Sequence, residues 1–426
     1  MTLLRPVPHV IIVGGGFAGL WTTRALAAAP ARLTLVDRQN HHLFQPLLYQ
    51  VATAGLSAPD IAAPLRHVLR KQQNVEVRLG EVSAIDANSR CVLLADGVRL
   101  HYDYLVVASG AAHAYFGHEK WRASAPGLKT LDDALRIRAR ILLAFERAET
   151  ADDPGERDRW LDFAVIGGGP TGVELAGTLA EIARHTLQHE FRHIDPARAR
   201  VRLVEAGPRI LPSFPAALSA KAATQLQRLG VEVLSGAPVT GIDADGLEIR
   251  GERVPARTVL WAAGVAASKL GASLGVPLDR AGRVLVEPDL SVPGYPDVFV
   301  AGDLAAVASR GRPVPGVAPA AKQMGRHVAE VIRARISADG RPSAPAGAFR
   351  YRDYGNLATI GRMAAVVDLN GLRFWGLPAW CFWLAAHLFF LIGFRNRLIV
   401  MINWAWAYWG FERHARIIIG PGDGAS

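Results

Sequence analysis

The stretch HVIIVGGGFAGL, residues His9–Leu20, sets the fold of this chain, and DFAVIGGGPTGVEL at Asp162–Leu175 repeats its pattern. Each stretch is an apolar strand-like run, a cluster of three glycines and the start of a helix. Strand-like runs that alternate with helical patterns are typical of a parallel α/β architecture. The repeat therefore predicts two similar strand–loop–helix domains within one chain.

In the first copy, Gly14, Gly16 and Gly19 form the pattern GxGxxG. Such glycines permit a tight turn, a close backbone approach to a pyrophosphate and close packing of helix on strand, so the pattern predicts a dinucleotide site. The next strand-like run, LTLVD, ends at Asp37, 18 residues beyond Gly19. A carboxylate at this position can accept hydrogen bonds from an adenosine ribose.

The second copy carries the same pattern at Gly167, Gly169 and Gly172, and the following run VRLVE ends at Glu205. The polar segment 184–200 is expected to supply the longer spacing as an extended helix and a turn. A carboxylate at this position bonds a free 2′-hydroxyl and repels a 2′-phosphate, which favours NADH over NADPH. Arg209 weakens this inference, because an arginine can receive a 2′-phosphate.

A distant segment, YPDVFVAGDLA at Tyr295–Ala305, has the features of a second cofactor contact. Gly302 would allow close backbone approach and Asp303 could bond a ribityl hydroxyl, so the first domain is predicted to be discontinuous. The predicted parts are a first segment of the first dinucleotide-binding domain over 1–125, the second, inserted dinucleotide-binding domain over 126–274, a second segment of the first domain over 275–340 and a C-terminal region over 341–426. Further strands are predicted at Tyr104–Ala108, Val201–Glu205, Thr258–Ala262 and Val298–Ala301.

Composition limits the possible functions. The chain has 426 residues, half of them apolar, with a net charge of +10 that suits nucleic acid, anionic lipid or anionic cofactors alike. No long Lys/Arg run with interleaved aromatics is present, so nucleic acid is not expected as a partner. The two cysteines, Cys91 and Cys381, form no CxxC, and the thirteen histidines form no metal-ligand motif. His41, His42 and His387 are expected to pack or hydrogen-bond.

The C-terminal region has a different composition. Phe374–Phe394 contains no charged residue, Leu398–Phe411 is a second uncharged run, and six of the ten tryptophans lie between Trp375 and Trp409. The first run is long enough to span a bilayer, but Pro378, the tryptophans and the flanking arginines favour a helical region that lies on the membrane surface. A buried core helix or a dimer interface is the alternative. The flanking arginines are Arg373, Arg395, Arg397, Arg413 and Arg416.

Several segments together resemble the type II (non-proton-pumping) NADH:quinone oxidoreductases, within the flavoproteins that have two dinucleotide-binding domains. The most specific are NHHLFQPLLYQVATAGLSAPDIAAPLR at Asn40–Arg66, HLFFLIGFRNRL at His387–Leu398 and NWAWAY at Asn403–Tyr408. LWAAGV at Leu260–Val265 and APAAKQMG at Ala318–Gly325 also match. The resemblance implies FAD in the first site and NADH in the second. It also implies hydride transfer from NADH to FAD and electron transfer to a membrane quinone, such as ubiquinone, in a respiratory chain.

The resemblance also implies roles for individual residues. Glu174 matches a family carboxylate beside nicotinamide and flavin, although an acid in the first turn of a helix can simply stabilise the helix dipole. The family quinone motif AQxxxQ is APAAKQ in this chain, so Pro319 replaces one glutamine and Gln323 is the remaining candidate for the quinone contact. Lys322 could face the flavin or cap a helix. The cofactor contacts implied in addition are Phe17, Ala18, Gly110, Thr171 and Gly264.

The predicted fold is therefore α/β, with two Rossmann-type domains, the NADH domain inserted in the FAD domain, and a C-terminal amphipathic membrane-anchoring region. The expected location is the cytoplasmic side of the inner membrane, in a peripheral mode, with a homodimer as an open possibility. A sulfide:quinone oxidoreductase is one alternative, but it needs cysteines near the flavin. An NAD(P)H flavin reductase with a soluble acceptor is another.

Overall fold

The computed structural model describes residues 7–337, 347–410, 413 and 415–418, with 394, 395 and 407–410 described by their backbone alone. These residues form two compact units. Unit 1 takes in the described residues of Met1–Leu43, Ala62–Ala112 and Val265–Asp353. Unit 2 takes in those of Phe44–Ile61, His113–Gly264 and Tyr354–Ser426.

The boundaries of these two units differ from those predicted for the domains. Unit 1 is discontinuous, and most of unit 2 lies between its parts in the sequence. The long insertion covers His113–Gly264 instead of 126–274, and the C-terminal residues from Tyr354 belong to unit 2 instead of forming a separate part. The short segment Phe44–Ile61 also belongs to unit 2, which the sequence analysis did not anticipate.

Unit 1 is built on a six-stranded sheet whose central strands are parallel. The strand His9–Val13 pairs on one side with Arg32–Asp37 and on the other with Tyr104–Val107. These strands are almost continuously buried, as expected for parallel strands covered on both faces. The spatial order is Ser291–Val292, Tyr295–Val300, Tyr104–Val107, His9–Val13, Arg32–Asp37 and Val75–Leu79.

Unit 2 repeats this arrangement in a smaller parallel sheet of four strands. Its spatial order is Val231–Ser235, Arg200–Glu205, Asp162–Ile166 and Thr258–Trp261. Every residue of Asp162–Ile166 is buried, and its pairing with Arg200–Glu205 is parallel. The α/β fold with two Rossmann-type halves, predicted from the repeat, is therefore confirmed.

Both units also contain smaller sheets of two or three strands. Unit 1 carries Val82–Asp86, Cys91–Leu94 and Arg99–His101, together with paired short strands at His41–Leu43 and Ala62–Pro64, Val284–Leu285 and Ala305–Ala306, and Ala308–Ser309 and Arg312–Pro313. Unit 2 carries Val239–Asp243, Gly246–Ile249 and Glu252–Pro255, and Asn356–Gly361, Ala364–Leu369 and Leu372–Trp375. Further short strands are Ala111–His113 and Val265–Ala267.

The helices are divided between the two units. Those of unit 1 are Phe17–Ala25, Leu65–Leu69 and Ala318–Ser337. Those of unit 2 are Leu48–Ala52, Ala58–Ile61, Trp121–Ser124, Leu131–Thr150, Pro154–Trp160, Pro170–Glu181, Ala216–Arg228, Leu377–Phe390 and Phe394–Gly410. Single turns of 3₁₀ helix occur at Gln45–Leu47, Pro196–Arg198 and Gly302–Leu304, with a longer one at Lys269–Leu274.

The extra length before Glu205 is only partly helical. The helix Pro170–Glu181 continues as a π-helical turn over Ile182–Thr186, and a loop follows. The carboxylate of Glu149 fixes this loop by accepting hydrogen bonds from the amides of Arg192, His193 and Ile194.

The uncharged C-terminal run is divided among several elements. The strand Leu372–Trp375 ends at Gly376, which has φ of +73°, and Pro378 occupies the first turn of the helix Leu377–Phe390. Proline is tolerated there because its missing N–H has no helical partner at that position. The second helix, Phe394–Gly410, begins after a short turn. Within the described part of the chain, no helix is long and apolar enough to cross a membrane.

The C-terminal tryptophans lie in two environments, which corrects the expectation that they all favour an interface. Trp380, Trp383 and Trp404 are buried in unit 2, and the indole N–H of Trp404 donates to the side-chain oxygen of Gln50 at 2.7 Å. Trp375 and Trp406 are exposed.

The flanking arginines have partners within unit 2. Arg373 pairs with Asp368, and Arg397 donates to two backbone carbonyls near the end of the first helix. Arg413 pairs with the buried Glu181 at 3.2 Å, and Arg416 pairs with Glu190. These four residues therefore have structural roles that the sequence analysis did not predict, while the side chain of Arg395 lies outside the described atoms.

Candidate functional site

The glycines of the first motif occupy a strand–loop–helix turn in unit 1. Gly14 has φ of +102°, and a Cβ at this residue would lie 2.4 Å from the carbonyl oxygen of Ala108. A Cβ at Gly19 would lie 1.8 Å from the carbonyl oxygen of Gly14, so helix and loop are in direct backbone contact. Gly16 faces open space, with nothing within 4 Å of an added Cβ. The loop thus leaves room for a phosphate at the start of the helix Phe17–Ala25.

The second motif has the same geometry in unit 2. Gly167 has φ of +109°, and its added Cβ would lie 2.6 Å from the backbone of Ala262. A Cβ added at Gly172 would lie 1.8 Å from the carbonyl oxygen of Gly167. Gly169 faces open space, with nothing within 4 Å of an added Cβ. Two loops of different sequence therefore form the same cradle.

A carboxylate holds each glycine loop through its central glycine, which is the middle residue of the Gly-Gly-Gly run, Gly15 in unit 1 and Gly168 in unit 2. In unit 1, Asp37 accepts from the amide of Gly15 at 2.5 Å and from that of Gln39 at 2.6 Å. In unit 2, Glu205 accepts from the amides of Gly168 and Gly207, both at 2.6 Å. Each carboxylate oxygen has a further lone pair, so the acid can support the loop and still accept from a ribose hydroxyl.

The carbonyl of the central glycine is held as well, by a different group in each unit. In unit 1, the Nδ1–H of His42 donates to the carbonyl of Gly15 at 2.9 Å. Burial lowers the pKa of His42 to about 4, so its ring is neutral at neutral pH and its Nδ1 carries the proton. In unit 2, the amide of Leu211 donates to the carbonyl of Gly168 at 2.6 Å.

His42 therefore forms a hydrogen bond, as the sequence analysis expected, and that bond supports the first glycine loop. Its ring also contacts Phe17 edge-on, with centroids 5.0 Å apart. Its position within the specific segment Asn40–Arg66 was the available signal.

The guanidinium of Arg209 is bonded to backbone carbonyls of its own turn. It donates to the carbonyls of Phe214 at 2.7 Å, Pro212 at 2.9 Å and Leu211 at 3.3 Å. These bonds close the turn that follows Glu205, so the arginine that weakened the inference of NADH has a structural role.

The second contact segment of unit 1 lies beside the first glycine motif. Gly302 has φ of +79°, and its added Cβ would lie 3.3 Å from Ala18 and 3.7 Å from Ala321. Asp303 is next to it, half-buried, in the 3₁₀ turn Gly302–Leu304. The distant segments predicted to share one cofactor are therefore adjacent.

Of the other predicted cofactor contacts, two follow parallel strands and one lies at the start of a helix. Gly110 has φ of +71° and follows the strand next to His9–Val13. Gly264 has φ of +81° and follows the strand next to Asp162–Ile166. Thr171 is the second residue of the helix Pro170–Glu181.

Glu174 is buried in the first turns of the helix that follows the second glycine motif. Burial raises the pKa of its carboxyl well above 4.5, and a hydrogen bond from the amide of Thr359 only partly offsets this. The structure thus favours a neutral carboxylic acid, which can both donate and accept a hydrogen bond. A Cβ added at Gly177 on the same helix would lie 1.7 Å from the carbonyl oxygen of Ile360. The helix is therefore closely packed against the strand Asn356–Gly361.

Gln323 and Lys322 lie near the start of the helix Ala318–Ser337. The Gln323 amide donates to the carbonyl of Arg352 and accepts from its N–H, both at 2.9 Å. The ammonium of Lys322 lies 3.9 Å from the ring centre of Trp21. Burial lowers the pKa of Lys322, and Arg326 and Arg24 act in the same direction. Both residues therefore have local structural contacts, and their predicted roles toward quinone and flavin stay predictions.

Cys91 is a buried free thiol and Cys381 an exposed one. No group of three or more His, Cys, Asp or Glu side chains in this part of the chain is arranged to hold a metal ion. His387 stacks on Trp383, and burial lowers the pKa of its ring to about 4, so its predicted packing role is confirmed.

Comparison with known proteins identifies the family. Residues 8–325 match the family described as pyridine nucleotide-disulphide oxidoreductase, and residues 354–410 match the NDH2 C-terminal domain. The type II NADH:quinone oxidoreductase Ndh of Mycobacterium tuberculosis is 47% identical over 408 residues, which cover 93% of this chain and 87% of that protein. The chain belongs to the type II NADH:quinone oxidoreductase family.

Other comparisons agree with this family at two levels. NdhA of M. tuberculosis, also a type II NADH:quinone oxidoreductase, is 46% identical over 95% of this chain and 88% of its own length. The structure of NDH2 from Plasmodium falciparum in complex with NADH superposes with a TM-score of 0.87, covering 97% of this chain and 100% of that one, at 20% identity. A sulfide:quinone oxidoreductase from Aquifex aeolicus gives 0.72 at 20% identity over 92% of each chain. These two structures show the shared fold.

Proposed function

We propose that this chain is an FAD-dependent NADH:quinone oxidoreductase that does not pump protons. The observation that carries the proposal is the pair of glycine loops, each held at its central glycine by a carboxylate, within a chain of this family. Bound FAD would supply the chemistry by accepting a hydride from NADH and passing two electrons on to a quinone. The protein positions the nucleotides and fixes the protonation of the groups around them.

The first site would hold FAD through unit 1. The helix beginning at Phe17 starts beside Gly16, where the open space at the positive end of the helix suits a pyrophosphate. Asp37 would accept from the adenosine ribose, and Asp303 from the ribityl chain. Gly110, Gly302 and Ala18 are small enough to allow close approach of the cofactor.

The second site would hold NADH through unit 2. The free N–H groups of the helix beginning at Pro170 would receive the pyrophosphate beside Gly169, next to Thr171. Glu205 would accept from the 2′-hydroxyl and repel a 2′-phosphate, while Arg209 is engaged with the carbonyls of its own turn.

Glu174, Lys322 and Gln323 are the residues proposed to act near the redox groups. Glu174 would present a neutral carboxyl to the nicotinamide side of the site, since burial favours its protonated form. Lys322 would place a cation near the flavin pyrimidine. Gln323 would contact the quinone with the hydrogen-bonding capacity that remains after its two bonds to Arg352.

We infer that the C-terminal region attaches the enzyme to a membrane surface on the cytoplasmic side of the inner membrane. The supporting observation is a set of large apolar side chains that the protein leaves in contact with solvent. The set is Leu372, Trp375, Leu377, Phe382, Phe389, Phe390, Leu398, Met401, Ile402 and Trp406. A homodimer would be the other way to cover them.

Anaerobic titration of the purified, FAD-loaded protein tests the redox proposal. One equivalent of NADH should bleach the flavin absorbance, and a short-chain quinone should restore it. NADPH in place of NADH should bleach it much more slowly. Bleaching without quinone-dependent recovery would contradict the proposed acceptor, and equal rates with the two nucleotides would contradict the role of Glu205.

A further inference from the structure

A cavity in unit 2 combines apolar walls with one buried cation. Its volume is about 380 Å³, and its walls include Leu56, Pro59, Leu135 and Ile417. The guanidinium-bearing residue is Arg138, on the helix Leu131–Thr150. None of these residues belongs to the glycine loops or to the carboxylates that support them.

Arg138 is buried without a partner among the residues that the structure describes. It is only 5% exposed, its Nε has no hydrogen-bond partner, and it forms no ion pair with any described residue. An arginine stays charged in a protein, so this side chain places a positive charge in an apolar setting. Burying a charge is costly unless it is paired, and the lack of a partner among the described residues points to an external one.

The acidic residue of the same cavity is already engaged. Asp60 accepts from the amide and the hydroxyl of Ser57, both at 2.8 Å, and from the side-chain amide of Asn403 at 3.3 Å. These bonds fix its carboxylate on the Ser57 side of the cavity wall, and it forms no ion pair with Arg138 among the described contacts. The guanidinium is therefore the group with hydrogen-bond donors to offer.

We infer that this cavity binds an anionic amphiphile, with a carboxylate or phosphate head on Arg138 and an aliphatic chain along the apolar walls. A free inorganic anion would pair with the guanidinium, but the remaining oxygens of the anion would lie against apolar side chains. A neutral amphiphile would fill the space but leave the buried cation unpaired. Only a molecule with both parts matches the cavity, because guanidinium and oxyanion form strong paired hydrogen bonds.

Calorimetric titration of the full-length protein in a non-ionic detergent tests this inference with four probes. Octanoate and octyl phosphate carry both head and chain, octanol lacks the charge and inorganic phosphate lacks the chain. We expect saturable binding of one octanoate or octyl phosphate per chain, at least roughly tenfold tighter than octanol and than inorganic phosphate. The tighter of the two anions identifies the source as fatty acid or phospholipid.

Three variants assign the binding to the cavity. Arg138→Met should abolish the preference for octanoate over octanol, while Arg136→Met, the same change at an exposed site on the same helix, should preserve it. Leu135→Trp should fill the cavity with Arg138 intact and weaken the binding of octanoate and octanol alike, by roughly tenfold. This variant decides the matter if Arg138→Met fails to fold.

Two results would overturn the inference: equal affinity for octanoate and octanol in the unmodified protein, or unchanged octanoate binding after both Arg138→Met and Leu135→Trp. The readout is binding without NADH or quinone, so it is independent of the proposed redox reaction.

Discussion

The carboxylates at the ends of the second strands support the glycine loops, and we propose that they bind a ribose as well. Asp37 and Glu205 each fix the central amide of a glycine loop and retain lone pairs for a ribose. The spacing of these acids was sufficient to predict that they lie beside the glycine loops, whereas their contact with a ribose stays a prediction. The spacing did not reveal how each acid is held in place. Asp37 and Glu205 each also accept from the amide of the residue two positions later, Gln39 and Gly207, and that bond depends on the shape of the turn.

Glu205→Ala should reduce the discrimination of NADH over NADPH by roughly tenfold or more, because the repulsion of the 2′-phosphate is lost. It should also raise the Michaelis constant for NADH, since the loop loses its support at Gly168. Glu205→Gln serves as the control, because its amide oxygen can still accept from one backbone N–H. If Glu205→Ala used both nucleotides as the unmodified enzyme does, the assignment of the second site would be wrong.

Glu174 should give the stability of the protein a pH dependence of defined sign. In the folded protein its pKa is raised above 4.5 by burial, so above that pH the unfolded chain loses a proton that the folded chain keeps. This group therefore destabilises the fold as pH rises, by up to about 1.4 kcal/mol per pH unit, until the folded carboxyl itself ionises.

Glu174→Gln should remove that contribution, so the variant should gain stability relative to the unmodified protein as pH rises from about 4.5. Denaturant unfolding of the FAD-loaded protein at a series of pH values, without NADH, measures it. Glu146→Gln, an exposed change, should give a nearly constant difference. A difference for Glu174→Gln that does not grow with pH would mean that the carboxyl is ionised in the folded state.

At the scale of elements, the strand–loop–helix turn predicts different outcomes for neighbouring glycines. Gly14→Ala should destabilise the turn, since an alanine at φ of +102° is strained by about 1–3 kcal/mol and its Cβ meets Ala108. Gly16→Ala should leave the fold intact, because its Cβ meets nothing, yet reduce FAD binding by occupying the phosphate space. Flavin absorbance per chain and thermal unfolding separate the two effects.

Loss of flavin from Gly14→Ala with an unchanged melting temperature, or full flavin occupancy in Gly16→Ala, would contradict this assignment of roles. The comparison matters because both changes would appear equivalent from the motif alone.

The buried parallel strands could be predicted from sequence, whereas several other elements could not. Tyr104–Ala108 was expected and Tyr104–Val107 is observed, because a strand covered on both faces is a continuous apolar run. The same holds for Thr258–Ala262, observed as Thr258–Trp261. The loop after Thr186, by contrast, depends on Glu149, which lies more than forty residues from His193 in sequence. Such contacts carry no local signal.

At the scale of the whole molecule, the C-terminal region belongs to the core of unit 2 as well as to its surface. Trp383 is fully buried, and Thr359 contributes the amide that bonds Glu174. Composition alone could not separate these roles, since a tryptophan-rich helix looks the same from sequence whether a tryptophan faces protein or solvent. The arginines were similarly ambiguous until Glu181 and Glu190 were located beside Arg413 and Arg416.

The proposed membrane attachment should therefore be tested with exposed side chains and not by deleting the region, which would remove Trp383 and Trp404 from the core. Phe389 and Ile402 are 70% and 55% exposed. Changing both to serine should weaken binding to lipid vesicles by about 2–4 kcal/mol, or at least roughly thirtyfold, because each apolar side chain loses the gain from leaving water. Leu79→Ser, an equally exposed change in unit 1, is the control and should have little effect.

The double variant should retain NADH oxidation with a water-soluble acceptor, since the glycine loops and their carboxylates are unchanged, and lose turnover with a long-chain quinone in lipid. Vesicle cosedimentation and the two activity assays measure these outcomes. Because four flanking arginines have partners within the protein, binding of the unmodified enzyme should depend only weakly on salt. Complete release at high salt would indicate an electrostatic attachment, and vesicle binding unchanged by the double substitution would place the contact on another surface.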